Sequence, residues 1–138
     1  MTKAEVRPIG ITALSLFFLF GAGASFVSSI SLLFRGSFLE PIWRLNPRAR
    51  AGLGGMGVSA VILMGAVCLA CTLAAVGLWR GARWGYWLAV FLLTINLLGD
   101  ILNVFLGTEP RAVIGIPIAL AILAFLMSRR AGRFFLGK

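Results

Sequence analysis

The sequence predicts an all-α integral membrane protein, a four-helix bundle with short loops and an amphipathic interfacial segment in the first loop. Three observations carry that expectation. Of the 138 residues, 60% are hydrophobic and only 12% charged, more apolar surface than a soluble domain of this length can hide. The charges are also clustered: residues 9–34, 51–79 and 112–128 hold no Asp, Glu, Lys or Arg, and 84–108 holds only Asp100. Finally, the lengths fit, since a helix needs roughly 20 apolar residues to cross a hydrocarbon core and satisfies its own backbone hydrogen bonds there.

The first span is expected at about 9–34. Lys3, Arg7 and the small run Ala22-Gly23-Ala24 have the outline of a cleavable signal peptide, but the apolar run continues to Phe34 and favours an uncleaved span. Gly21, Ser25 and Ser28 recur at helical spacing and, with Gly23, Ala24 and Ser29, make one side small, while Phe17, Phe18, Phe20 and Phe26 load the rest. Small residues let helices approach closely in lipid, so Gly21, Ser25 and Ser28 are the expected helix-packing stripe.

In the first loop Phe38, Leu39, Ile42, Trp43 and Leu45 alternate with Glu40, Arg44 and Asn46. An interfacial segment is expected at about 38–47, with a short amphipathic helix over 41–45, Pro41 in its first turn and Asn46-Pro47 ending it. Such a segment caps the bundle; the alternative is a lid over an outward-opening pocket.

The second span, about 53–79, carries Cys68 and Cys71 as C-x-x-C. Helix geometry does not bring i and i+3 sulfurs within bonding range, and no third cysteine exists to relay electrons, so both are read as small buried hydrophobes. The chain has no histidine and this span no carboxylate, which argues against a metal site. Arg80-Gly81-Ala82-Arg83 forms a tight turn bracketed by Trp79, Trp84, Tyr86 and Trp87, an aromatic belt at one interface.

The third span, about 84–107, contains the charge most deeply set in an apolar run. Asn96, Asp100 and Asn103 stand at i, i+4 and i+7 and share one face. Polar groups within a span mark functional sites by default. Asp100 lies about 24 Å along the helix from Trp84, near the outer surface, where Arg111 first, and Arg44, Arg48 and Arg50 after it, are within reach as partners. Two readings stand: a polar clasp tying the span to the loops, or a ligand, proton or ion contact.

The fourth span, about 112–128, opens with Gly115 and Pro117, and Arg129 and Arg130 behind it extend its reach by snorkelling. The remaining tail carries Arg133, Phe134, Phe135, Leu136 and Lys138 and suits the surface of the inner leaflet. With four spans both termini share a side. That side collects eight Lys and Arg against five on the other, so the termini are expected in the cytoplasm.

The net charge of +9 does not point to nucleic acid, because the basic residues lie at helix ends and no soluble domain is left to dock a duplex. The expected partners are the lipid bilayer, with anionic lipids at the cytoplasmic face. No nucleophile constellation or phosphate loop is visible, so no catalytic residue, metal or cofactor is expected.

Several segments together resemble a family of uncharacterised small bacterial four-span membrane proteins. They are Trp43-Arg44-Leu45-Asn46-Pro47 with residues 48–52, Gly77-Leu78-Trp79-Arg80-Gly81 with Arg83-Trp84-Gly85, Asn96-Leu97-Leu98-Gly99-Asp100, and Arg129-Arg130 with Phe134-Phe135. The resemblance covers most of the chain and implies the fold and a bacterial inner membrane, but no activity. The leading functional expectation is a non-enzymatic accessory or scaffold-like protein that packs with itself or within a larger membrane assembly. The rival is a small transporter or ligand-binding protein using Asp100, Asn96 and Asn103. Small multidrug exporters share its size and span count but use an acidic residue in the first span, which is absent here. A thiol and quinone redox protein ranks third.

Overall fold

A computed structural model describes residues 6–137. All regular structure among them is helical: α1 (Ile9–Leu33), a 3₁₀ turn (Glu40–Leu45), α2 (Pro47–Met56), α3 (Val58–Trp79), α4 (Arg83–Leu106), α5 (Ala112–Leu126) and α6 (Arg129–Leu136). Three helices, α1, α3 and α4, are each long and apolar enough to cross a membrane, and a fourth span results if α5 and α6 count as one broken helix. The chain divides into two compact units, one of Phe18–Thr72 and one of the chain up to Phe17 together with the chain from Leu73 onward.

In the Phe18–Thr72 unit the first loop is more structured than its sequence suggests. Pro41 sits in the first turn of the 3₁₀ segment, as its fixed φ favours. Asn46 then serves two helices: its N–H donates to the Trp43 carbonyl at 3.1 Å, closing the 3₁₀ turn, while its side chain accepts from Ala49 N at 3.1 Å, capping α2. Pro47 occupies the first turn of α2, where a missing N–H costs nothing. Asn46-Pro47 therefore ends one helix and starts another. This corrects the expected start of the second span at 53, because residues 53–56 belong to α2 and the apolar helix begins only at Val58. Gly57 makes the break, with φ 59° and ψ −130°, a conformation that a Cβ would strain.

In the other unit, α3 and α4 form a hairpin whose turn is a double-bonded helix cap. Gly81, with φ 67°, donates to the Leu78 carbonyl at 3.1 Å, and Ala82 donates to Gly77 at 2.9 Å. The helices can turn back so tightly because Gly77 and Gly85 face each other backbone to backbone; a Cβ on Gly77 would lie 2.5 Å from the Gly85 Cα. The same cap recurs where α4 ends at Gly107.

The apolar helix expected over about 112–128 ends at Leu126. α5 alone has 15 residues, short of the roughly 20 a crossing needs, and α6 leaves it at 56° instead of continuing it. Ser128 is the reason, with extended backbone and a side chain that accepts from Ala131 N at 3.4 Å, so it starts a new helix. The basic tail is thus an amphipathic helix with Ala131 and Phe135 fully buried. Tyr86 of α4 holds it, its ring 5.3 Å from that of Phe135 and its hydroxyl donating to the Leu126 carbonyl at 3.1 Å.

The glycine crossing makes a sharp test. Gly85→Ala puts a methyl group into the Gly77 backbone and is expected to destabilise the detergent-solubilised protein by about 1–3 kcal/mol. Gly99→Ala on the same helix meets open space and should leave the thermal midpoint unchanged or raised.

Candidate functional site

Two polar clusters are built into the fold, one in each unit. In the Phe18–Thr72 unit, the Trp43 indole N–H donates to the buried Ser31 hydroxyl of α1 at 2.7 Å, pinning the 3₁₀ turn to that helix. Glu40 forms an ion pair with Arg50 of α2 and accepts from the Gly36 N–H at 3.4 Å. The Arg50 guanidinium also sits 5.7 Å from the Trp43 ring centre, within cation–π range. The Arg50 hydrogen bond is the main reason the Glu40 carboxyl titrates below its usual range, with the Gly36 amide and the charges of Arg50 and Arg35 adding to it. Arg50 separates two hollows. One of about 400 Å³ is lined by Glu40, Pro41, Trp43, Arg44 and Pro47. The other, of about 260 Å³, is lined by Ser31, Leu32, Arg35, Ala51 and Gly54.

The helix-packing stripe expected on α1 is only partly where contact occurs. Gly21 lies beside Cys71, with 3.7 Å between a Cβ built on the glycine and the sulfur. Ser25 and Ser28 are half-buried, and it is Ser29 that bonds across to α3, donating to the Val61 carbonyl at 3.3 Å. Cys68 and Cys71 are free thiols, both half-buried on α3. Among the described residues no group of three His, Cys, Asp or Glu side chains comes together to hold a metal.

In the other unit, Asn96 donates its amide to Asp100 Oδ2 at 3.3 Å, one helical turn apart on α4. The Asp100 carboxylate lies against Gly115 of α5, in space that any Cβ there would fill. Asn103 is engaged elsewhere, its Oδ1 accepting from the Thr108 hydroxyl at 2.9 Å beside the cap of α4. Arg111 precedes α5 and donates its backbone N–H to Glu109 Oε1 at 3.3 Å. Asp100 and Asn96 are thus brought together. Arg44 belongs to the first-loop cluster of the other unit.

Comparison of the chain with protein families, curated proteins and solved structures gives no match. The geometry alone therefore says what these clusters can do. Neither assembles a nucleophile with a base. The first-loop cluster fastens a loop to a helix, and the Asn96–Asp100 pair presents a carboxylate at the junction of α4 and α5.

Sequence reasoning left out Ser31, Gly115 and the Glu40–Arg50 pair. Glu40 is one of only four acidic residues in the chain, so a partner for it among the nearby arginines was a legible signal. Ser31 had none, because nothing in a run of small and apolar residues marks which hydroxyl meets an indole.

Because the Glu40 carboxyl is depressed by folding, the order it confers on the loop is present at neutral pH, declines as pH falls below the ordinary 4.5, and is lost once pH passes its lower folded value. Trp43 emission should follow that transition, and Glu40→Gln should abolish the pH dependence. Asp100→Ala leaves the Asn96 amide without its acceptor and should lower stability by about 1 kcal/mol. Gly115→Ala should be destabilising in the native background and much less so in Asp100→Ala, a coupling that a double-mutant thermal cycle reads directly.

Proposed function

We propose that this chain is a multi-pass protein of the bacterial inner membrane with both termini in the cytoplasm, acting as a non-enzymatic accessory or scaffold-like subunit. It packs with copies of itself or within a larger membrane assembly. One observation supports this reading above the others. In the most apolar 18-residue windows of α1, α3 and α4, only 17%, 22% and 11% of the residues are buried within the chain. Side chains such as Phe20 (78% exposed) and Phe105 (84% exposed) therefore need lipid or another helix to cover them. The polar clusters serve shape: one ties the first loop down, the other joins α4 to α5.

The resemblance of the chain's tryptophan, arginine and glycine motifs to small bacterial four-span proteins supports the location, and the eight-to-five excess of Lys and Arg supports the orientation. In this reading α5, its reach extended by Arg129 and Arg130 behind it, supplies the fourth crossing, and α6 lies along the inner surface. A second reading, a small transporter, draws on the half-buried Asp100 with Asn96 exposed beside it.

Membranes from cells making the protein should retain it through alkaline carbonate washing. A green fluorescent protein fused after Lys138 should fluoresce and an alkaline phosphatase fused there should stay inactive; an active phosphatase would reverse the orientation. Crosslinking in native membranes should give a discrete multimer or a defined partner. If instead Asp100→Asn leaves stability and assembly unchanged while abolishing cation-coupled uptake by vesicles, the transporter reading replaces this one.

A further inference from the structure

Two open grooves in one unit are lined by the same two chain segments and differ sharply in character. The first, about 500 Å³, is bounded by Val6 and Pro8 ahead of α1 and by Arg129, Arg130, Arg133 and Phe134 of α6. All three arginines are exposed and no carboxylate lines this groove. The second is an apolar cleft of about 330 Å³ between Gly10, Ala13 and Phe17 of α1 and Ala121, Ile122 and Phe125 of α5. The segments run antiparallel here, since Gly10 packs under the Phe125 ring. The cleft starts at Gly10 and Phe125, two and four residues along the chain from Pro8 and Arg129 of the basic groove, and follows about 10 Å of α1.

We propose that these two grooves are one site for a single anionic phospholipid, its phosphate held by Arg129, Arg130 and Arg133 and an acyl chain laid in the cleft between α1 and α5. The inference rests on the membrane reading above. Charge complementarity selects the occupant. A second copy of this chain, with its net charge of +9 and cationic helix ends, would bring like charge to the three arginines. A free phosphate would satisfy the arginines but leave the cleft uncovered. A lipid with an anionic headgroup satisfies both halves and sits at the depth where a span gives way to a surface helix. α6 is fixed in place for this task, with Ala131 and Phe135 buried beneath it and its arginines turned outward. The neighbouring Arg7 is engaged otherwise, stacked 4.3 Å over the Trp79 ring.

The full chain in neutral detergent, titrated with phosphatidylglycerol or phosphatidylcholine of the same acyl composition and read by native mass spectrometry, tests this. Phosphatidylglycerol should bind about tenfold or more tightly at low salt, since each arginine at an anionic headgroup contributes roughly fivefold. The combined variant Arg129→Gln, Arg130→Gln, Arg133→Gln should remove most of that preference, and Arg35→Gln with Arg44→Gln in the first loop should not. Ala13→Trp, which fills the cleft, should weaken both lipids. Glycerol phosphate, a headgroup without chains, should fail to displace the lipid. Equal binding of the two lipids by the native chain overturns the proposal without use of any variant. So does a preference that survives in the triple-arginine variant or falls equally with the first-loop variant, and so does displacement by glycerol phosphate. Circular dichroism confirms that each variant is folded. Carbonate extraction judges the membrane reading separately, so a chain that stays in the membrane yet shows no lipid preference defeats this site alone.

Discussion

A peptide group placed in hydrocarbon finds no water, and each N–H or C=O left unbonded there costs several kcal/mol. For helices long and apolar enough to cross a membrane, as α1, α3 and α4 are, that constraint would account for much of the structure. The long apolar segments are helical because a helix is the conformation in which a lone segment bonds its own backbone. Hydroxyls within them turn back onto the preceding turn, Ser15 to Ile11, Thr72 to Cys68 and Thr94 to Val90, each at 2.8–2.9 Å. The helix ends, where four groups have no intrahelical partner, are closed by capping glycines at Gly81 and Gly107, by Asn46 and Ser128, and at Leu126 by the Tyr86 hydroxyl.

Charge follows the same constraint. Glu40 and Arg50 meet in the connection between α1 and α3, outside the apolar helices, where water shares the work of solvating them. The arginines of α6 are carried outward on a helix that leaves α5 at 56°, so the apolar run stops at Leu126 without burying a guanidinium. Asp100 is the exception, and there the fold supplies an amide from Asn96 and a side-chain-free position at Gly115.

The all-helical class was legible in the sequence, because long runs free of charge and apolar throughout admit few structures. Boundaries were legible where glycine and tryptophan mark them, as at Trp79 to Trp84. They were not legible near Gly57, since the end of α2 and the whole of α3 read as one charge-free run whose break depends on a backbone angle. The helical form of the tail behind α5 was hidden for a similar reason: Ser128 reads as an ordinary polar residue behind a span, and only its extended backbone makes it a cap. The face of α4 bearing Asn96 and Asp100 followed from spacing, whereas their neighbour Gly115 lies across another helix and follows from no local pattern. The Glu40–Arg50 pair did not follow from spacing either, because a long side chain near a loop can reach several acceptors and packing decides among them.

Helices that span a membrane must have hydrocarbon over their exposed faces. Phe91, Ile95, Leu98 and Leu102 form one such face on α4, each more than half exposed within the chain. Single cysteines at these positions, in a background with Cys68 and Cys71 replaced by alanine, can carry nitroxide labels in reconstituted bilayers. Electron paramagnetic resonance then compares their collisions with oxygen, which dissolves in hydrocarbon, and with a nickel chelate, which stays in water. The account predicts that the oxygen-to-nickel ratio is high along the face, peaks near Ile95 and falls toward both ends of α4; uniform access of the nickel chelate to all four positions would contradict it.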